Sequence, residues 1–179
     1  MFHWYGFFIG LAMVVGYTIA EKIEPKVSKV APWILIGGII GARTWYVVDM
    51  WEYYQANTSG VLRIWEGGLS IWGGLIGGML GLFIYQQTNK LTDTWKILGA
   101  IVTALPLAQA IGRVGNAVNG EFTQRVGILP WWGAEALLDL ILFAVLWGPI
   151  LRGQSSQVKV GVYLAGYGLI RLVLQPYRL

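Results

Sequence analysis

The stretch ILGAIVTALPLAQAIGRVGNAVNGE, residues 97 to 121, does most to decide how this chain folds. It begins with an uncharged apolar run that reaches Ile111 and is close to the length of a membrane-spanning helix. Four polar or charged residues then follow within nine positions: Arg113, Asn116, Asn119 and Glu121. Ionisable side chains against so apolar a segment predict a functional site.

The composition of the whole chain indicates an integral membrane protein. Of the 179 residues, 56% are hydrophobic and 12% are charged, and the mean hydropathy is +0.58. A soluble domain of this size cannot bury that much apolar surface. The net charge of +4 does not predict nucleic-acid binding, because the basic residues are scattered at segment ends. With no Cys and one His, disulfides and multi-histidine or Cys-ligated metal sites are excluded, and we expect no cofactor.

Windowed hydropathy predicts an all-α, polytopic helical bundle that forms one transmembrane domain over residues 1–179. Its six spans are expected at about 4–20, 31–48, 68–87, 96–112, 131–151 and 160–176. The bundle should carry an outward-facing polar site and no sizeable extracytoplasmic domain. The first apolar run begins at Phe2, with no basic residue before it and no small-x-small cleavage site, which predicts a retained helix rather than a signal peptide.

Lysine and arginine are sorted between the two sides of this predicted bundle. All six lysines fall in the loops 21–30, 88–96 and 152–159, which the positive-inside rule makes cytoplasmic: Lys22, Lys26, Lys29, Lys90, Lys96 and Lys159. Both termini then lie outside. Six of the seven arginines fall on the outer side: Arg43, Arg63, Arg113, Arg125, Arg171 and Arg178.

An outer side rich in arginine but not lysine indicates a ligand that needs guanidinium. The planar fork binds phosphate or carboxylate through two hydrogen bonds, which an ammonium group cannot do. Snorkelling to lipid phosphates explains Arg125 and Arg178 equally well. It explains Arg43, Arg113 and Arg171 less well, because each is flanked by apolar residues or Gly and lies within or against a span.

Glycine spacing predicts how some of the helices pack. Gly73, Gly77 and Gly81 recur every four residues, as do Gly37 and Gly41, and such small-xxx-small faces allow close backbone approach. Pro106 is expected to disturb the fourth span and to leave Gln109 in need of a partner inside the bundle.

Six motifs fall on the outward side: HWYG (3–6), GARTWY (41–46), RIWEGGLSIWGGLIGG (63–78), GRVGNAVNGE (112–121), PWWGAEALLDL (130–140) and YGLIRLVLQPYR (167–178). This set resembles the bacterial prolipoprotein diacylglyceryl transferases over nearly the whole chain, and Gly-Arg-x-Gly-Asn-x-x-Asn-Gly-Glu is that family's signature. The resemblance implies transfer of the diacylglyceryl group of phosphatidylglycerol to the thiol of a lipobox cysteine in a preprolipoprotein signal peptide. It also implies release of glycerol phosphate at the outer face of the bacterial cytoplasmic membrane.

The resemblance also implies roles for individual residues. Arg113 and Arg171 would face the phosphate, and Asn116 and Asn119 would hold the head group and the re-entrant loop. Glu121 would orient Arg113 or a head-group hydroxyl. Tyr5 would hydrogen-bond the substrate, and Glu135 and Asp139 would each hold an arginine in place. The remaining expected site residues would bind substrate: Arg43, Arg63 and Trp72. Alternatively, the Asn and Glu set is only a capped loop at a helix end.

Three departures distinguish this chain from the family. Trp72 stands where family members carry His, a candidate base for the acceptor thiol, and Gln175 stands where they carry Glu. Only residues 122–129 separate Glu121 from Pro130, where the family inserts an extracytoplasmic domain. Other candidate bases are His3, which could instead anchor the terminus at the interface, together with Glu66 and Glu121.

Two further functions compete with the transferase. One is a catalytically silent relative that binds anionic phospholipid or acts as a subunit of a larger membrane complex. Aromatic residues of spans two and five would suit its lipid or partner contacts: Trp33, Trp45, Trp131, Trp132 and Trp147. The other is a small transporter, which is less favoured because no span is visibly an inverted copy of another.

Overall fold

The computed structural model describes residues 4–89 and 93–177, without the side chains of Tyr5 and Glu66. The described chain is all-α apart from one short hairpin, as expected. Its helices are α1 (Trp4–Ile23), α2 (Val27–Asp49), α3 (Trp51–Ala56), α4 (Ile71–Asn89), α5 (Thr94–Val118), α6 (Trp131–Trp147) and α7 (Ser156–Leu174). Single 3-10 turns cover Thr58–Leu62, Ile64–Glu66 and Gln175–Tyr177. Strand β1 (Arg125–Val126) pairs antiparallel with β2 (Leu129–Pro130).

The six predicted spans all fall on helices, but not all of these helices are long and apolar enough to cross a bilayer. Within residues 4–89 and 93–177, four segments meet that requirement: Gly6–Ile23, Val27–Asp49, Thr94–Val118 and Ser156–Tyr177. Helix α6 has only 17 residues, and α4 is rich in Gly and ends in Gln-Gln-Thr-Asn. The helices fit a membrane location, while the count of six spans and their orientation stay predictions.

Backbone contacts group the chain into two compact units. The first comprises Met1–Val27 and Trp95–Leu179, and the second comprises Ser28–Thr94. The expectation of one domain over residues 1–179 stays a prediction.

In the second unit, α2 and α4 pack backbone against backbone. A methyl group added at Gly37 or Gly41 would collide with the backbone at Gly77 or Gly73, and additions on α4 would collide with α2 in the same way. Only residues without a Cβ allow this approach. The predicted small-xxx-small faces are therefore confirmed as the seam between these two helices.

In the first unit, α6 and α7 form most of the apolar core, which includes Leu142, Leu146 and Ile170. Helix α5 continues through Pro106. One turn later the amide Nε2 of Gln109 donates a hydrogen bond of 3.1 Å to the hydroxyl of Tyr163 on α7. The expected partner for Gln109 therefore lies on the neighbouring helix.

Candidate functional site

The GRVGNAVNGE segment forms the last turns of α5 and the turn that ends it. Gly120 has a φ of +70°, which L-residues with a side chain rarely adopt. Its N–H donates to the Ala117 carbonyl at 3.0 Å, and the N–H of Glu121 donates to the Asn116 carbonyl at 2.9 Å. These two bonds are those of a Schellman motif, in which glycine ends the helix and turns the chain back. The turn carries the Glu121 carboxylate back over the end of α5.

A chain of hydrogen bonds links the four polar residues of this segment. Arg113 Nη1 donates to Asn116 Oδ1 at 2.9 Å, and Asn116 Nδ2 donates to Glu121 Oε2 at 2.7 Å. Asn119 Nδ2 donates to the other oxygen, Glu121 Oε1, at 3.2 Å. Glu121 thus acts on Arg113 through Asn116. The segment is therefore a capped helix end, and its hydrogen bonds also fix the orientation of the Arg113 guanidinium group.

The carboxylate of Glu135 lies where the two arginines meet. It projects from the second turn of α6 and is completely buried. Its Oε1 accepts a hydrogen bond of 3.3 Å from Arg171 Nη1 on α7. Its Oε2 lies 3.1 Å from Arg113 Nε on α5, at an angle that makes the contact an ion pair rather than a hydrogen bond. One carboxylate therefore brings together cations from two helices.

Trp131 supports the same two arginines from its indole ring. The guanidinium carbons of Arg113 and Arg171 lie 5.4 and 5.8 Å from the ring centroid, within the range of cation–π attraction. The indole Nε1 donates a hydrogen bond of 2.8 Å to the Leu174 carbonyl. The ring of Phe122 packs against the indole, with 4.9 Å between the ring centroids. Trp131 is completely buried, so the lipid or partner contact suggested for it in a silent relative is wrong.

Arg171 has a second partner four residues along the chain. Its Nη2 donates to Gln175 Oε1 at 2.9 Å. The residue that stands where the resemblance leads one to expect Glu thus accepts this bond through its amide oxygen. Both guanidinium groups keep N–H groups that no described residue uses, and their side chains are 20% and 26% exposed. An incoming anion can therefore reach both.

Arg43, in the other compact unit, is used in a different way. Its Nε, Nη1 and Nη2 donate four hydrogen bonds of 2.6 to 2.9 Å to the carbonyls of Val61, Gly67, Gly68 and Gly60. The Tyr54 ring lies 5.2 Å from its guanidinium carbon. The side chain is buried and holds the connection between α3 and α4. A role in substrate binding stays a prediction for Arg43.

Two of the remaining expected site residues, Arg63 and Trp72, belong to the second compact unit. Arg63 is exposed, and its Nη2 lies 3.5 Å from Ser59 Oγ. Trp72, in the first turn of α4, is 66% exposed. His3 lies outside the described residues, and for Tyr5 only the backbone, in the first turn of α1, is described.

Comparison with known proteins agrees with this arrangement of motifs. A family model described as prolipoprotein diacylglyceryl transferase matches residues 1–179. The chain belongs to the prolipoprotein diacylglyceryl transferase family. A phosphatidylglycerol–prolipoprotein diacylglyceryl transferase of Fervidobacterium nodosum is 38% identical over 206 residues, which cover 98% of this chain and 70% of the relative. Those of Trichormus variabilis and Clostridioides difficile are 30% and 39% identical, over 98% and 72% of this chain and 74% and 54% of theirs.

The diacylglyceryl transferase cluster therefore contains six of the residues expected from sequence, drawn from α5, α6 and α7: Arg113, Asn116, Asn119, Glu121, Glu135 and Arg171. The role of Trp131 was not predicted from the sequence. The spacing of Trp131, Glu135 and Asp139 by four residues would have placed all three on one face of α6. The expectation for Asp139 is corrected, because no described arginine forms an ion pair or hydrogen bond with it.

Proposed function

We propose that this protein transfers the diacylglyceryl group of phosphatidylglycerol to the cysteine thiol of a lipobox in a prolipoprotein signal peptide. The observation that carries the proposal is the pairing of Arg113 and Arg171. Both guanidinium groups are held by one buried carboxylate and one indole ring, and both keep donors for an anion. The names of the relatives supply the donor lipid and the acceptor.

The chemistry needs positive charge where the phosphate leaves. The thiolate attacks the carbon of the diacylglyceryl group that bears the phosphate. An S–C bond forms, and the C–O bond between this carbon and the phosphate breaks. The electron pair of that bond goes to the leaving phosphate oxygen, and glycerol phosphate is released. Donors fixed beforehand at the developing charge lower the barrier, because they need no reorganisation during the reaction. In this proposal Arg113 and Arg171 supply those donors.

The other polar residues of the cluster have supporting roles in this proposal. Asn116 and Glu121 fix the orientation of Arg113, and Asn119 holds the Glu121 carboxylate. The thiol proton must pass to a base, and His3, Glu66 and Glu121 are the candidates. Tyr5, Arg43, Arg63 and Trp72 are proposed to line the path of the lipid or the peptide.

The proposal places the reaction at the outer face of a bacterial cytoplasmic membrane. The sorting of lysines into loops 21–30, 88–96 and 152–159 supports an orientation with both termini outside. Phosphatidylglycerol and the signal peptide of the prolipoprotein are the two partners. Membership of a larger membrane complex is compatible with this role.

A second candidate is a relative that binds anionic phospholipid without transferring its diacylglyceryl group. Trp72 favours it, because indole cannot take a proton from a thiol, whereas the imidazole of the family's His can. In that case the arginine pair would still bind the phosphate group.

Incubation of the purified protein with phosphatidylglycerol vesicles and a lipobox peptide separates the two functions. A transferase yields one glycerol phosphate for each peptide that gains a thioether-linked diacylglyceryl group. A silent relative binds the lipid and yields neither product. A peptide with Ser in place of the lipobox Cys is the control, since a hydroxyl is the poorer nucleophile.

A further inference from the structure

Asp139 is a buried acid that the proposed chemistry does not use. It lies one helical turn deeper in α6 than Glu135, and its side chain is completely buried. Neither of its carboxyl oxygens accepts a hydrogen bond from any protein group in residues 4–89 and 93–177. Glu135, on the same face of the same helix, contacts two arginines. The two acids therefore differ sharply in their surroundings.

Ionisable groups on three helices, α5, α6 and α7, interact electrostatically with Asp139. Glu135 acts on it from α6, Arg113 from α5 and Arg171 from α7, and Tyr163 and Tyr167 of α7 also interact with it electrostatically. Both arginines direct their described hydrogen bonds and ion pairs elsewhere, to Glu135, Asn116 and Gln175.

A second buried acceptor lies in the same region. Gln109 of α5 donates through Nε2 to the Tyr163 hydroxyl, but its Oε1 accepts no hydrogen bond from the described protein groups. Three buried acceptor atoms, two on Asp139 and one on Gln109, thus accept no hydrogen bond from the described residues. A proton on Asp139 would remove the charge from the carboxyl group that is left without a partner.

The cost of burial decides which form of Asp139 is the more stable. An ionised carboxylate that is buried without a hydrogen-bond donor costs several kcal/mol, whereas a neutral acid costs much less. We propose that Asp139 carries a proton and that Arg113, Arg171 and the buried Glu135 together therefore keep a net charge of +1, with the exposed carboxylate of Glu121 outside this set. Two guanidinium groups contribute +2 and the Glu135 carboxylate contributes −1.

This charge selects the chemical class of the lipid head group, an inference that rests on the proposed function. A phosphodiester such as phosphatidylglycerol carries one negative charge, which a cluster of net charge +1 neutralises. A phosphate monoester carries about −1.5 to −2 at neutral pH, so part of its negative charge would stay uncompensated at the two arginines. The protonated Asp139 therefore favours diester over monoester lipids, and it also favours departure of the product, which is a monoester.

Infrared spectroscopy of the full chain in detergent tests the proton directly. At neutral pH, we expect a carbonyl stretching band of a protonated carboxylic acid in the wild type and loss of that band in Asp139→Asn. Glu52→Gln, which changes an exposed acid of α3, should leave the band in place. If wild type and Asp139→Asn have the same spectrum in this region, Asp139 is ionised and the proposal is wrong. If Asp139→Asn fails to fold, Asp139→Glu keeps a carboxylic acid at this position, and a band that changes in frequency with this substitution gives the same answer.

Lipid binding provides a second and independent readout. Because Asn mimics the neutral acid, Asp139→Asn should bind phosphatidylglycerol vesicles within about threefold of the wild type. It should also keep the preference for phosphatidylglycerol over phosphatidic acid. Binding about tenfold tighter in Asp139→Asn would mean that a negative charge had been removed, which contradicts the proposal. An infrared band without any binding of phosphatidylglycerol would instead reject the proposed function and leave the proton assigned.

Discussion

Arg113 and Arg171 lie on different helices, and each contacts a different oxygen of the Glu135 carboxylate, at 3.1 and 3.3 Å. The same two guanidinium groups lie over the indole ring of Trp131. Because their positions are fixed by shared partners, we propose that the two cations act as one anion site. Loss of either should therefore impair the same step.

Arg113→Lys and Arg171→Lys should each weaken binding of phosphatidylglycerol by about 10- to 100-fold, because an ammonium group cannot form the paired hydrogen bonds of the planar fork. Flotation with vesicles of defined composition measures the affinity. Arg125→Lys, which changes an exposed arginine of β1, is the matched control and should bind normally. Unchanged affinity in both cluster variants would place the phosphate elsewhere.

Glu135→Gln should lower the melting temperature of the protein by on the order of 10 °C, because it leaves two guanidinium groups without their shared counter-ion. Thermal unfolding in detergent, followed by circular dichroism, measures this effect. Glu52→Gln changes an exposed glutamate of α3 in the same way and should have little effect. Equal melting temperatures for the two variants would show that the buried carboxylate does not hold the cluster together.

Trp131 is expected to position the arginines through its ring. Trp131→Phe keeps an aromatic face and loses the bond to the Leu174 carbonyl, so transfer should fall by less than about fivefold. Trp131→Leu loses both and should lower kcat/KM by about 10- to 100-fold. Initial rates over a range of lipid concentrations separate kcat from KM, and Trp132→Phe is the neighbouring control. Equal rates for the Phe and Leu variants would argue against a role for the ring face.

Arg43→Met should loosen the connection between α3 and α4, because four carbonyls lose their donor at once. We expect trypsin to cleave after Arg63 about tenfold faster, which corresponds to about 1.4 kcal/mol in the opening of this segment. Mass spectrometry of timed digests measures the rate, and Arg125→Met is the control. An unchanged rate together with weaker lipid binding would favour a substrate role for Arg43 over a structural one.

Much of the site could be predicted because its residues are close in sequence. The segment from Arg113 to Glu121 forms one helix end, so its spacing and its glycines already imply the turn that the structure contains. The glycine faces of α2 and α4 were predictable for a similar reason, since four-residue spacing keeps small residues on one side of a helix.

The errors concern partners that are distant in sequence. Nothing in the sequence around Arg43 shows that its guanidinium reaches carbonyls 17 to 25 residues away, where Gly67 and Gly68 adopt positive φ angles. Trp131 was grouped with four other tryptophans as suited to lipid or partner contacts of a silent relative, since tryptophan is common at membrane interfaces. In the structure its ring packs against Arg113 of α5 and Arg171 of α7. A hydropathy profile cannot predict contacts between side chains of different helices.

The most direct test of the account is single-turnover release of glycerol phosphate from phosphatidylglycerol in the presence of a lipobox peptide. We expect release from the wild type in step with thioether formation, strong loss of both in Arg171→Lys, and faster transfer in Trp72→His, by up to about 10²- to 10⁴-fold if the imidazole acts as the base. No release by either the wild type or Trp72→His, from protein that binds the lipid normally, would contradict the assignment as a transferase.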